Sequence, residues 1–268
     1  MQEKTRIEDL SESNIDNLTY VCSSKRLNDP IHQQGMKLKK QWLHKMLGKY
    51  GSVAKIAYHN EKPAAQILFF PEEADVTKAH KRENVLVIMC IYNPTPAAQK
   101  LGLGTKLLKS VVDDAKRRQS CLGNKPCRFV VTKAFNTGEF LPMPDFFKKN
   151  GFQQTPEGDL LYLPIEGSYE AAIPTGQYEP LPEDEGKTVV FYGPNCQFSY
   201  PFAKKIEELI VEVAPYLKIE LVNEWERPQE SIRRHNWWLI VNATPIQTFF
   251  METEKFKEDV RRAVDKTP

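Results

Sequence analysis

The sequence has no apolar run that approaches the roughly 20 residues needed for a membrane-spanning helix. Its first residues, MQEKTRIEDL, contain no apolar segment of the kind found in signal peptides. The five cysteines are scattered and none belongs to a CxxC pair, so a structural zinc site is not expected. These absences predict a cytoplasmic protein with reduced thiols, without a metal and without a membrane partner.

The whole chain has no large excess of either charge, with 37 Lys and Arg against 35 Asp and Glu. The distribution is uneven, because residues 1–165 carry 25 basic and 17 acidic side chains. Residues 166–186 carry six acidic side chains and no basic one. A basic first part suits an anionic ligand. No stripe interleaves basic with aromatic residues, so nucleic acid is not an expected partner.

One segment interrupts the regular patterning of the chain. It reads PIEGSYEAAIPTGQYEPLPEDEG and is rich in Pro, Gly and Glu. It has neither the period of a strand nor that of a helix, which is typical of an extended linker or of a strap that lies on a surface. We therefore predict a first domain over 1–165, a linker over 166–186 and a second domain over 187–268.

Hydrophobic periodicity predicts a mixed α/β (α+β) fold in both domains. In the first domain it predicts a sheet that is antiparallel early and has a crossover helix late. The helices are expected near 13–22, 34–48, 104–118 and 143–151, and the strands near 52–58, 64–71, 84–92, 127–133 and 159–165. The second domain is predicted to follow the order β-α-β-α-β-β-α, with PIQTFFM as its last strand.

A glycine-containing turn follows the apolar strand NVLVIMCIYN. It reads QKLGLG and leads into the amphipathic helix TKLLKSVVDDAKRR. Gly102 and Gly104 would let backbone N–H groups approach a ligand closely, and the helix N-terminus adds its positive dipole end. The turn lacks the GxxxxGK[ST] pattern, and Leu107 stands where GxGxxG needs its third glycine. A helix start that needs two glycines and binds nothing stays open as the alternative.

Two motifs in the right order resemble the GNAT acetyltransferase superfamily. The Q-x-x-G-x-G turn resembles its pyrophosphate turn, and FFKKNGFQ resembles its YEKLGF helix-turn-strand. With GMKLKKQWLHKML and VVTK, they are similar to the YoaP-type branch, in which an acetyltransferase domain precedes a small C-terminal domain. The resemblance implies the GNAT fold and acetyl-CoA as the cofactor. The residues it assigns to the cofactor are Cys90, Ile91, Tyr92, Gln99, Lys100, Leu101, Gly102, Leu103, Gly104, Thr105, Phe147 and Lys148.

The resemblance implies transfer of an acetyl group to an amine of a small molecule or a peptide. Such a transfer needs a neutral amine, a polarised thioester carbonyl and a proton for the leaving thiolate. Many members supply that proton from a tyrosine where this chain has Phe147, so the acid is absent or comes from elsewhere. The candidates are Glu139, Asp145 and Tyr92. A sensor or scaffold that binds acyl-CoA without turnover is the alternative, and the chain could form a homodimer.

The second domain resembles thioredoxin-like proteins. In FYGPNCQFSYPFAKKIEEL a strand ends, Cys196 precedes a long helix, and Ser199 follows at CxxS spacing. NATPIQTFF is similar to the loop that holds a cis-proline in such proteins, so the Thr244–Pro245 bond could be cis. A CxxS motif has no resolving thiol, which leaves monothiol chemistry at Cys196 as a further alternative function. We expect instead an appendage that binds a substrate or partner, with Cys196 inert.

Overall fold

The computed structural model describes residues 4–134, 141–158 and 160–266, and the chain divides into two compact units. The first unit comprises Met1–Lys25, Lys40–Asp75 and His80–Ile173. The second comprises Arg26–Lys39, Val76–Ala79 and Pro174–Pro268. The last change of unit along the chain therefore falls inside the segment 166–186. No local pattern predicts that residues 26–39 and 76–79 belong to the second unit.

The first unit is built on a seven-stranded sheet with the order β1-β2-β3-β4-β5-β7-β6. Its strands are β1 (Thr5–Asp9), β2 (Ala54–His59), β3 (Lys62–Pro71), β4 (Val85–Tyr92), β5 (Phe129–Thr132), β6 (Gln153–Gln154) and β7 (Leu161–Pro164). Neighbouring strands are antiparallel except β4 and β5, which run parallel. A parallel pair requires a crossover connection, and a helix between β4 and β5 supplies it, as the sequence predicts.

The structure describes four α-helices up to residue 158. They are α1 (Ile15–Ser23), α2 (Pro30–Tyr50), α3 (Leu103–Lys116) and α4 (Met143–Lys149). The crossover helix α3 buries the predicted apolar stripe, which consists of Leu107, Leu108, Val111, Val112 and Ala115, and packs on β2 and β3. Among the described residues, we find no helix with both the length and the apolar character needed to cross a bilayer.

The sequence analysis missed two strands of this sheet. Strand β1 reads TRIED and holds a single apolar side chain, Ile7, so it shows no alternation of apolar and polar residues. It forms by pairing along β2 at the edge of the sheet, from Thr5 opposite His59 to Asp9 opposite Lys55. The other missed strand, β6, has only two residues. Both strands depend on a partner strand rather than on a local pattern.

The second unit has a four-stranded sheet with the order β11-β10-β8-β9. Its elements follow the predicted order and are β8 (Lys187–Tyr192), α5 (Ser199–Val213), β9 (Lys218–Asn223), α6 (Pro228–Ile232), β10 (Leu239–Val241), β11 (Thr244–Pro245) and α7 (Thr253–Asp265). Strands β8 and β9 are parallel, whereas β10 is antiparallel to both β8 and β11. The core lies between this sheet and helices α5 and α7.

The last strand of the second unit differs from its prediction. Only Thr244–Pro245 forms β11, and the rest of PIQTFFM lies outside it. The apolar character of this run has another cause, because Ile246 and Phe250 are buried in the core cluster of the unit. The Thr244–Pro245 peptide bond is trans, so the cis geometry considered from the sequence is wrong for this structure.

The segment predicted as a linker is anchored by buried contacts within each unit. In the first unit, the ring of Tyr169 packs against that of Phe129 with a centroid distance of 5.3 Å. In the second, the Asp184 carboxylate is fully buried and pairs with the Arg234 guanidinium at 2.6 Å. The Tyr178 hydroxyl donates a further hydrogen bond to Asp184 at 2.9 Å. Each end of the segment is therefore packed against the unit to which it belongs.

Candidate functional site

The turn that leads into α3 is tightly curled. The chain passes from β4 through a 3-10 turn at Pro96–Ala98, and Lys100 and Gly102 then adopt left-handed conformations with φ of +64° and +69°. Glycine adopts the left-handed backbone conformation without an energetic cost, whereas a lysine in that conformation must be stabilised by its surroundings. When residues with positive and negative φ alternate, as they do here, successive N–H groups point towards one concave side of the turn. Such a concave row of N–H groups is a known way to bind an anion.

The N–H groups of this turn are available to a ligand. The Lys106 N–H donates to the Gly102 carbonyl at 3.0 Å and makes the first helical hydrogen bond of α3. Within the part of the chain that the structure describes, the N–H groups from Lys100 to Thr105 donate to no backbone carbonyl. No side chain caps the helix at Gly102. The start of α3 therefore offers a row of unsatisfied donors at the positive end of the helix dipole.

Strands β4 and β5 part beside this turn. Their pairing ends at Ile88 and Thr132, where β5 stops, while β4 continues to Tyr92. Next to the point of divergence β4 has a bulge, because Cys90 lies opposite Leu68, Ile88 lies opposite Phe69, and Met89 has no counterpart. A bulge bends its strand and re-aims the residues around it. The sheet therefore opens between β4 and β5 on the side towards the start of α3.

Gly104 is the point at which three elements of the site meet. A Cβ atom built on it would lie 3.5 Å from the ring of Phe146 in α4 and 3.8 Å from Cδ1 of Ile91 in β4. The first turn of α3, the end of β4 and the first turn of α4 thus converge here. The absence of a side chain at Gly104 leaves this junction open.

The two phenylalanines of α4 have different roles. Phe147 is fully buried and packs against Phe152 with a centroid distance of 5.0 Å, so its side chain presents no surface to a ligand. The side chain that faces Gly104 is that of the half-buried Phe146. Of the two rings, that of Phe146 is therefore the one beside Gly104, and the assignment of Phe147 to the cofactor stays a prediction. Helical geometry explains the difference, because adjacent residues on a helix point in different directions.

The predicted proton-bearing residues lie in different settings. Tyr92 is half-buried at the end of β4, beyond the divergence from β5. Asp145 is exposed in the first turn of α4, next to Phe146, and Lys148 is exposed one turn further on. Glu139 lies outside the described residues. Of the predicted proton donors, Tyr92 is therefore the one that is both half-buried and located where β4 has separated from β5.

Sequence reasoning missed two polar residues near the opening. Thr132 is buried at the last paired position of β5, and its hydroxyl has no hydrogen-bond partner among the described residues. Gln66 is buried on β3 directly opposite Tyr92 and donates from Nε2 to the Cys22 sulfur at 2.9 Å. A polar residue inside an otherwise apolar strand, as in FVVT and AAQILFF, is the signal that could have found both.

The second unit places one exposed cysteine before a helix. Cys196 lies in the turn after β8, and its carbonyl accepts a hydrogen bond from the Ser199 N–H at 3.0 Å as α5 begins. The Ser199 hydroxyl accepts a hydrogen bond from the Gly193 N–H at 3.0 Å, so it stabilises the turn itself. In the first unit, burial raises the pKa of the Cys121 and Cys127 thiols, the latter to about 12, so both stay protonated.

Comparison with known proteins gives similarity to solved structures. No protein-family model matches the chain, and no curated protein matches it significantly. The chain is similar to the ribosomal-protein-S18-alanine N-acetyltransferase of Escherichia coli, with 15% identity and a TM-score of 0.40 over 63% of this chain and 99% of that one. It is also similar to the PaiA N-acetyltransferase of Thermoplasma acidophilum solved with coenzyme A, with 14% identity and a TM-score of 0.42 over 60% and 99%.

A third solved structure is a GNAT-family acetyltransferase of Brucella melitensis in complex with acetyl-CoA. It shares 12% identity with a TM-score of 0.40, over 65% of this chain and 94% of that one.

Proposed function

We propose that the first unit is an acetyl-CoA-dependent N-acetyltransferase of the GNAT type. The observation that carries the proposal is the row of unsatisfied N–H groups from Lys100 to Thr105, beside the opening between β4 and β5. A pyrophosphate suits such a row, because it carries concentrated negative charge and several acceptor oxygens. The Q-x-x-G-x-G and FFKKNGFQ motifs, which resemble the GNAT pattern, lie on the elements that form this site.

The residues of the site fit an acyl-CoA in three respects. The N–H groups of the turn would hold the pyrophosphate, and the end of β4 from Cys90 to Tyr92 would run along the pantetheine arm. Gly104 leaves the junction with Ile91 and Phe146 free of a side chain, so the arm could pass there. When bound, the acyl-CoA supplies an acetyl group activated as a thioester.

The chain's own residues must orient the acceptor amine and deliver a proton to the departing thiolate. Phe146 and Phe147 have no proton to give. Our first candidate for the acid is Tyr92, followed by the exposed Asp145 and by Glu139, which lies outside the described residues. Much of the acceleration in such a reaction comes from positioning alone. The acceptor that we propose is an amine of a small molecule or of a peptide.

Removal of the pyrophosphate from the ligand tests the assignment of the turn. We expect S-acetylpantetheine, which lacks the 3′-phosphoadenosine and the pyrophosphate, to bind the full chain at least roughly 30-fold more weakly than acetyl-CoA, because hydrogen bonds to charged groups contribute about 1.5–3 kcal/mol. Isothermal titration calorimetry at one fixed salt concentration measures both affinities. Equal affinities for the two ligands would show that the turn does not hold the pyrophosphate.

A non-catalytic acyl-CoA sensor is the second candidate function. The phenylalanine pair at the start of α4 favours it, because neither residue can protonate a thiolate. Under this alternative, acetyl-CoA binds tightly and no free thiol appears with any amine.

For the second unit we propose a thioredoxin-like appendage of the YoaP type that holds a substrate or partner. Its support is the element order from β8 to α7 and the place of Cys196 between β8 and α5. Monothiol chemistry at Cys196 is the competing function. It requires a thiol pKa well below the ordinary value of about 8.5, which the pH dependence of alkylation by iodoacetamide would reveal.

A further inference from the structure

A cavity of about 310 Å³ opens on the second unit. Residues 26–31, which lead into α2, form one wall, α5 forms the other, and the segment before α7 closes one end. Its lining includes Arg26, Ile31, Phe202, Phe250 and Met251, all of which belong to the second unit. We call it the Phe202 cavity.

Large apolar side chains are exposed at the Phe202 cavity to an unusual degree. Met251 is 71% exposed, Ile31 is 39% exposed and Phe202 is 37% exposed. Phe249, which packs against Phe250 with a centroid distance of 4.6 Å, adds a further 47% exposed ring. Single exposed apolar residues need no explanation, whereas a group of them at one concave place marks an interaction surface.

The aromatic rings form a row that ends at a cation. Phe198 stacks on Phe202 with a centroid distance of 6.1 Å, and Phe202 contacts Phe250 at 5.2 Å. The Arg26 guanidinium lies 5.6 Å from the centre of the Phe198 ring. The surface therefore consists of a row of aromatic rings with the positive charge of Arg26 at one end.

Among the described residues that line the cavity, Arg26 is the one cation without an ion pair. Lys204 and Lys205 each pair with a glutamate three residues further along α5. Asp29 is engaged at the start of α2, where it accepts hydrogen bonds from two backbone N–H groups at 2.9 and 3.2 Å. Arg26 forms no ion pair within the described residues. A guanidinium presents donors in a planar fork that matches a carboxylate in two-point contact.

We propose that the Phe202 cavity docks a peptide segment of a partner protein in which large apolar side chains lie beside a carboxylate. The apolar side chains would lie along Phe202, Phe250 and Met251, and the carboxylate would meet Arg26. The wide exposure of the lining favours a peptide over a small molecule, because small-molecule sites bury most of the ligand's surface. Methionine and aromatic side chains suit such a surface because they adapt to differently shaped apolar partners.

Three short fluorescent peptides of equal length test the proposal on the full chain. The apolar-acidic peptide is GSLFDLFDGS, the second has lysine in place of both aspartates, and the third has serine in place of the leucines and phenylalanines. Fluorescence anisotropy should show that the apolar-acidic peptide binds about 10-fold more tightly than either of the others. No binding of the apolar-acidic peptide, or equal binding of the acidic and lysine peptides, overturns the proposal.

Two substitutions test whether the peptide binds at the Phe202 cavity: one reverses the charge of Arg26 and the other replaces the apolar side chain of Met251. Arg26→Glu should weaken the apolar-acidic peptide about 10-fold and make the lysine peptide the better ligand, and Met251→Asp should weaken both. The matched controls are Arg261→Glu, an exposed cation on α7, and Val211→Asp, a 48% exposed apolar residue of α5 outside the cavity. Both controls should bind as the unchanged chain does.

Sedimentation velocity and thermal unfolding of each variant complete the experiment. If the chain self-associates and Met251→Asp abolishes that association, a second copy occupies the cavity and the peptide proposal is wrong. Met251 and Arg26 are exposed, so their substitution should leave the unfolding midpoint unchanged. Binding that survives Met251→Asp in a folded protein likewise contradicts the assignment of the surface.

Discussion

Gly104→Asp is expected to weaken acetyl-CoA binding by at least about 100-fold, a loss of roughly 2.7 kcal/mol, while the protein stays folded. The substitution places a carboxylate in the first turn of α3, at the N–H groups that would hold the pyrophosphate. It also fills the junction with Phe146 and Ile91. Stability should not fall, because an acidic residue near a helix N-terminus interacts favourably with the helix dipole. Calorimetric titration and thermal unfolding measure the two effects separately.

Two further glycine variants control this result. Gly48→Asp adds the same charge to α2, where a Cβ atom meets nothing within 4 Å, and should bind acetyl-CoA normally. Gly104→Ala should have an intermediate effect on binding, because its methyl group would make an ordinary 3.5 Å contact with Phe146. An affinity of Gly104→Asp equal to that of Gly48→Asp would mean that the pyrophosphate does not bind at this turn.

Arg234→Met is expected to destabilise the second unit by about 3–5 kcal/mol, because it leaves a buried carboxylate without its main partner. Arg234 and Asp184 are both fully buried and joined by two hydrogen bonds of 2.8 and 2.6 Å. Three of the four tryptophans lie in residues 174–268, so the urea midpoint from tryptophan fluorescence reports mainly on this unit.

Two controls separate the buried pair from ordinary surface charges. Arg227→Met removes a half-exposed arginine that pairs with Glu220, and the expected change is below about 1 kcal/mol. Adding Asp184→Asn to Arg234→Met should recover part of the loss, since the unpaired charge is then absent. A loss from Arg234→Met no larger than that from Arg227→Met would contradict the assigned role of the pair.

The same pair predicts how stability depends on pH. Burial opposes ionisation of Asp184, but hydrogen bonds from Arg234 and Tyr178 outweigh it, so the pKa of Asp184 lies below its ordinary value. The stabilisation is therefore complete above the unfolded-state pKa of about 3.9 and is lost as the pH falls through the lower folded-state pKa. In Arg234→Met the pKa of Asp184 should rise, so acid unfolding of this variant should begin at a higher pH.

The sequence predicted those parts of the first unit that local patterns determine. The spacing of Leu107, Leu108 and Val111 fixes the buried face of α3, and the two glycines mark the turn before it. The apolar run of β4 likewise predicts a buried strand. These features require only periodicity and the conformational freedom of glycine.

The geometry that opens the site could not be predicted in the same way. The bulge at Met89 and the end of pairing at Ile88 and Thr132 depend on register with β3 and β5, which no local pattern encodes. The same limit applies to the phenylalanine pair, where tertiary packing buries Phe147 and leaves Phe146 beside Gly104. The assignment of residues 26–39 to the second unit is also a tertiary property.

Release of free thiol from acetyl-CoA, measured against a panel of small amines and peptides, tests the central claim most directly. We predict release above the solvent background with at least one amine, and loss of that release in Gly104→Asp but not in Gly48→Asp. The panel should include peptides with free N-termini and peptides with lysine as the only free amine. Tight binding of acetyl-CoA without thiol release from any member of a broad panel would contradict the proposed acetyltransferase and favour the sensor.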